Sequence, residues 1–160
     1  MPDVLVAYYS ETGHTAAAAT RVARMLGGDV ERIFPASGSA RSMLAKALAA
    51  LLGREEGVAS PARDPGGYRL VIVATPVWAG RLPPPVRGYL AKVRGRIGAA
   101  GFMATSGGAG SARTLRAMRE AIGHAPLAEV TISDADRRSG ADSAKLAAFA
   151  DVLRKHRQAA

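Results

Sequence analysis

Val4-Leu5-Val6-Ala7-Tyr8-Tyr9 carries no charge and runs directly into Ser10-Glu11-Thr12-Gly13-His14-Thr15. An unbroken apolar run bounded by a polar loop predicts a strand buried on both faces, the kind found in parallel sheets. Ala16 to Leu26 (AAAATRVARML) is then a strong helix former, and Gly27-Gly28 stops it. The hydroxyl-rich loop therefore joins a strand's carboxyl end to a helix's amino end. The first amides of a helix have no partner inside it, and its dipole is positive there. Ser10, Thr12 and Thr15 add hydroxyls, and Gly13 lets the backbone approach a ligand closely. Together they predict a cradle for a phosphate. The plainer alternative makes Ser10 or Thr12 an N-cap and Gly13 a turn residue.

Other phosphate-binding patterns are missing. The loop G-x-x-x-x-G-K-[ST] requires a Lys after a Gly, and no Lys in the chain follows one. The dinucleotide fingerprint G-x-G-x-x-G is absent as well. A nucleoside triphosphatase and a dinucleotide-binding Rossmann enzyme are both disfavoured.

The rest of the chain alternates strand and helix. Asp29 to Ile33 is short and alternating, which suits a second strand near an edge. Pro35 to Ser39 breaks the pattern. Arg41 to Leu52 places apolar residues at Met43, Leu44, Ala47, Leu48, Leu51 and Leu52, a helical spacing. Arg54 to Gly67 holds two prolines and three glycines, so it reads as a loop and as the segment expected to move most. Tyr68 to Ala74 is a third, buried strand followed by Thr75-Pro76-Val77-Trp78-Ala79-Gly80. Pro83-Pro84-Pro85 opens a helix over Val86 to Val93, because proline is tolerated in a first turn. Ile97 to Thr105 is a fourth strand, ending in Ser106-Gly107-Gly108-Ala109-Gly110-Ser111. A helix over 112–123, a fifth strand over Leu127 to Ile132 and a last helix over Ala141 to His156 complete the chain. Five strands alternating with helices in 160 residues predict one domain, spanning 1–160, with a parallel sheet covered on both faces.

Ser10-Glu11-Thr12-Gly13-His14-Thr15 after a buried first strand resembles the [ST]-x-T-G-x-T loop of flavodoxins. The resemblance implies a flavodoxin-like three-layer sandwich with strand order 2-1-3-4-5. It also implies that residues 10–15 hold the ribityl phosphate of FMN with hydroxyls and amides, without a basic side chain. Thr75, Pro76, Val77, Trp78, Ala79 and Gly80 are similar to the second flavin loop, which borders the isoalloxazine. Thr105, Ser106, Gly107, Gly108 and Gly110 are similar to the third. The expected FMN contacts are therefore Ser10, Glu11, Thr12, Gly13, His14, Thr15 and the residues of those two loops. In His14 the backbone amide is the expected contributor, since the sequence offers its ring no orienting partner. Flavodoxin carriers commonly stack a Tyr from the third loop on the flavin, and residues 105–111 contain none. An open flavin face would suit a reductase that takes electrons from NAD(P)H and passes them to a quinone. A receiver domain shares the fold but needs an acceptor Asp after the third strand, where Ala74-Thr75 stands.

Charge narrows the partners. The chain carries a formal net charge of +9, unevenly placed. Residues 1–80 hold 8 basic and 7 acidic side chains, and residues 81–160 hold 14 and 6. Such a surplus could attract nucleic acid, an acidic protein or an anionic membrane, and its plainer reading is a solvated basic surface. No helix-turn-helix, zinc finger or aromatic-basic pattern points to nucleic acid. A third reading is a non-catalytic module that binds through this surface with its flavin site empty. No apolar run reaches the ~18 residues that would cross a bilayer, and Met1-Pro2-Asp3 does not begin a signal peptide. The chain has no Cys, which excludes disulfides and thiolate chemistry and fits a cytoplasmic protein. The expected partners are a redox protein or a small donor or acceptor, with the oligomeric state open.

Overall fold

Strand β1 (Val4–Tyr8) lies at the centre of its sheet because its side chains are apolar in both directions. Leu5, Ala7 and Tyr9 enter one buried cluster, and Val4 and Val6 enter the other. In this computed structural model, which describes residues 2–36, 43–53 and 57–159, β1 pairs in parallel with β2 (Asp29–Arg32) and β3 (Leu70–Pro76). Beyond β3 come β4 (Ala99–Ser106) and β5 (Ala128–Ser133), also parallel. The order is β2-β1-β3-β4-β5. This is the expected flavodoxin-like three-layer sandwich.

Both faces of the sheet are filled. Helices α1 (His14–Leu26) and α6 (Ala141–Ala159) cover the face bearing Val6, Ile72 and Met103. Helices α3 (Pro84–Val93) and α4 (Ser111–Ile122) cover the face bearing Leu5, Val73 and Phe102. Phe102, Leu90, Leu146 and Leu153 are fully buried. Each such side chain contributes about 1.5–3 kcal/mol relative to an exposed one.

Three expectations change. First, a helix stands where the sequence reading has only a connection: α5 (Asp134–Ser139) fills the gap between β5 and α6. Second, helix α2 (Met43–Leu51) has the expected helical spacing, with Arg41 and Ser42 outside the described residues. However, Leu44, Leu48, Leu51 and Leu52 face solvent while Ala50 is buried. Third, the Pro/Gly segment is tied down where it is described. Ala59 donates to the Phe34 carbonyl and Ala36 to the Gly57 carbonyl, extending the β2 edge. The buried Glu31 carboxylate accepts from the amides of Ala62 and Arg63, at 2.9 and 3.0 Å. The segment is thus bonded to the chain just beyond β2 and to the Glu31 side chain.

Candidate functional site

The carboxyl ends of β1, β3 and β4 meet where the strand order reverses, the place at which open α/β sheets bind ligands. A cleft of about 240 Å³ opens there. It is lined from the first loop by Glu11, Thr12, His14 and Thr15, and from the second by Pro76, Val77 and Trp78. Thr105, Ser106 and Gly107 line it from the third, and Asp134 and Arg137 from α5.

Helix α1 begins without the usual cap. Its N-cap is Gly13 at φ 94°, in the left-handed region, so no side chain turns back on the first turn. The first turn holds no acidic residue. The first helical bond runs from the Ala17 amide to the Gly13 carbonyl at 2.9 Å. The amides of 14, 15 and 16 precede it and are the donors a helix leaves unmet. The positive end of the dipole therefore points at the cleft, with no acidic residue in the helix's own first turn to offset it. Neither Ser10 nor Thr12 is the cap. Ser10 is buried, and its Oγ accepts from the Gly13 amide at 3.1 Å, bending the chain before the helix. Thr12 is exposed on the cleft. The buried Thr15 hydroxyl meets that of Thr105 at 2.7 Å, tying the first loop to the third.

The second loop is a tight hairpin. The amides and carbonyls of Trp78 and Arg81 bond reciprocally, at 2.9 and 2.8 Å. Ala79 and Gly80 between them have φ of 46° and 71°. Two positive φ values in succession belong to a hairpin turn whose twist matches its flanking strands. Trp78 packs edge-on against Tyr9, with ring centroids 5.4 Å apart, and the Tyr9 hydroxyl donates to Glu11 at 2.9 Å. A buried aromatic at the end of β1 thus holds the indole at the cleft. The third loop is fixed to the second by close backbone packing. A Cβ on Gly110 would lie 2.4 Å from the Cα of Gly80.

Of the predicted residues, Glu11, Thr12, His14, Thr15, Pro76, Val77, Trp78, Thr105, Ser106 and Gly107 share this one cleft. Ser10, Gly13, Thr75, Ala79, Gly80, Gly108 and Gly110 shape it from outside the lining. Thr75 is fully buried and donates to the Pro76 carbonyl. Gly108 and Gly110 border a neighbouring hollow at the start of α4.

Sequence reasoning misses Asp134 and Arg137. The signal was present: Ser133-Asp134-Ala135-Asp136 is an S-x-x-[DE] helix start. In the structure the Ser133 hydroxyl accepts from the Asp136 amide at 3.0 Å. The Asp136 carboxylate in turn accepts from the Ser133 amide at 2.8 Å. That carboxylate also accepts from Lys145 Nζ at 2.8 Å. Lys145 first, then the Ser133 amide and hydroxyl, hold the Asp136 carboxyl down at about 2. Arg137 donates to Asp134 and to Nδ1 of His14. His14 therefore has the side-chain partner that its sequence context did not reveal. The Arg137 guanidinium keeps the Asp134 carboxyl below its ordinary range.

A second cavity, of about 200 Å³, lies between β2 and residues 59–63. Tyr89 lines it with a buried hydroxyl that has no hydrogen-bond partner among the described residues, and burial pushes that phenol's pKa well up. It lies along β2 at the edge of the sheet, away from the point where the strand order reverses, so the cleft at the switch point is the stronger candidate.

No family model matches the chain, and no curated protein matches it in sequence. Solved structures do match in fold. A proposed flavoprotein from Bacteroides eggerthii superposes with a TM-score of 0.73 at 22% identity, over 94% of this chain and 99% of that one. A flavoprotein from Lactobacillus acidophilus, solved in complex with FMN, gives 0.64 at 20% identity, over 89% and 99%. An azoreductase from Bacillus anthracis gives 0.56 at 13% identity, over 97% and 100%. The likeness at these identities is one of fold.

Proposed function

We propose that this chain, read as one domain over 1–160, binds FMN in the cleft and carries electrons through it. The observation that carries the reading is the uncapped start of α1, facing the same cleft as an anchored Trp. One end offers amides and hydroxyls to a phosphate, and the other offers an aromatic edge to a flat ring. The likeness to an FMN-bound flavoprotein of the same fold supports it.

When bound, FMN would supply the redox chemistry. The chain's own residues would bind and orient it. The amides of 14–16, with Thr12 and Thr15, would receive the phosphate. Glycine at 107 lets the Asp134 carboxylate pack against the third loop, where a Cβ would lie 3.0 Å from its oxygen. Trp78, held by Tyr9, would border the ring and exclude water from that side.

A second reading is an NAD(P)H-dependent FMN or quinone reductase. It is favoured by one feature: the third loop brings no Tyr, Phe or Trp to the cleft. A donor could then reach the ring. Among the described residues no helix is long and apolar enough to cross a membrane. A cytoplasmic location fits a chain without Cys.

Titration with FMN tests the reading. Trp78 is the sole Trp, so its emission should fall as flavin fills the cleft, and riboflavin should bind poorly. Equal affinity for FMN and riboflavin, or unchanged emission at saturation, would refute it. Turnover of NADH or NADPH with a quinone would then select the reductase reading.

A further inference from the structure

The cleft has a wall that the three loops do not account for. Helix α5 is fixed on β5 by its capping box, and β5 pairs with β4 through Ser133 and Ser106. This seats Asp134 against the third loop: a Cβ on Gly107 would lie 3.0 Å from an Asp134 carboxylate oxygen. Arg137 stands one turn further on and lines the cleft beside Thr12, His14 and Thr15. One of its nitrogens donates to Asp134 and another to His14. Among the described residues lining the cleft, Arg137 is the one guanidinium, whereas Glu11 and Asp134 are both carboxylates. A helix start supplies only about half a positive charge. Arg137 adds a full positive charge beside that helix start, in a cleft that also holds two carboxylates.

We propose, resting on the FMN reading above, that Arg137 is a phosphate-binding residue that exchanges Asp134 for the phosphate monoester of the bound flavin. Asp134 and His14 hold the guanidinium at the cleft until the ligand arrives. The pair is partly open to solvent, with Arg137 27% and Asp134 38% exposed, so releasing it costs little. A guanidinium bonded to a phosphate is a strong, charge-assisted contact with two parallel bonds. The exchange therefore favours the ligand. The two members of one ion pair should then act in opposite directions: Arg137 promotes phosphate binding, and Asp134 competes with it.

The test uses the full chain, titrated with FMN and with riboflavin at low and moderate salt. Arg137→Gln should weaken FMN by about tenfold or more, the scale of one charged hydrogen bond. It should leave riboflavin unchanged and reduce the salt dependence of FMN binding. Asp134→Asn should tighten FMN. Arg137→Lys, which keeps the charge and loses the fork, should restore part of the affinity. Far-ultraviolet dichroism checks that the variants fold. If Arg137→Gln weakens both flavins alike, or Asp134→Asn weakens FMN too, the pair only buttresses α5 and the proposal is overturned. If the parent protein does not prefer FMN to riboflavin, the FMN reading itself fails, a result distinct from both.

Discussion

Helices α1 and α4 start alike and are used differently. Each has a left-handed glycine as its N-cap, Gly13 at φ 94° and Gly110 at φ 106°. Neither has a side-chain cap, and neither has an acidic residue in its first turn. Around Gly13 the space is open, with nothing among the described residues beyond its chain neighbours within 4 Å of where a Cβ would stand. Around Gly110 the space is closed by the backbone of Gly80. The first helix start is free to receive an anion. The second borders a separate hollow, and its glycine packs the loop after β4 onto the hairpin after β3, beside Trp78. An uncapped helix start is thus a resource that packing can leave for a ligand or spend on the fold.

The largest expected effect separates the two glycines. Gly110→Ala must relieve a backbone overlap and hold an L-residue at positive φ. Overpacking costs about 1–3 kcal/mol and the left-handed conformation about 1–2 kcal/mol more. Gly13→Ala should incur only the second cost in stability. Urea denaturation of the two variants measures the difference. Equal losses would mean that Gly110 does not clamp the loops.

The next effect lies in binding. Thr12 is exposed on the cleft, so Thr12→Ala should leave stability within about 0.5 kcal/mol. It should cost about 1.5–3 kcal/mol in FMN affinity, the worth of a hydrogen bond to a charged group. Thr15→Ala should lower both quantities, because its hydroxyl also bonds the buried Thr105. Ser111, at the start of α4, bonds Ser106, and Ser111→Ala should change FMN affinity by less than about twofold. A larger loss at Ser111 than at Thr12 would reverse the assignment of the two helix starts.

The sequence made the first helix start readable and hid the second's role. A buried strand, a hydroxyl-rich loop and an alanine-rich helix are local features, visible in successive residues. The strand order was suggested by the same loop's resemblance to flavodoxins. The contact of Gly80 with Gly110 joins residues thirty positions apart, and only the sheet brings them together. Trp78 was legible as a ligand neighbour, but its support by Tyr9 was not, since Tyr9 read as one more residue of a buried strand. Helix α5 was missed for a different reason. DADRRS is short and highly charged, without an apolar face to set a helical period, and none of its residues is buried. Its capping box was the one available signal, and it encodes a wall of the cleft. The stripe of leucines on α2 misleads in the opposite sense, since its period is helical while its leucines face solvent.

The smallest effect concerns that wall and separates α5, which has a charged cap, from α1 and α4, which have none. Lys145 and the Ser133 amide and hydroxyl bring the Asp136 carboxyl down from 3.8 to about 2. A carboxylate whose pKa is depressed on folding lends stability that is complete above its unfolded value and is lost as the pH falls through its folded one. The cap should therefore be intact above about pH 4 and open as the pH approaches 2. A carbon-detected pH titration of the Asp136 carboxyl by NMR should give a midpoint below that of an ordinary Asp. Ser133→Ala should raise that midpoint and destabilise the fold by about 1 kcal/mol, the usual worth of a helix cap. The amides that open α1 and α4 should shift less over the same range, because no side chain caps them. An ordinary midpoint for Asp136 would mean that the box does not hold in solution, and Arg137 would then lose the support that fixes it beside His14.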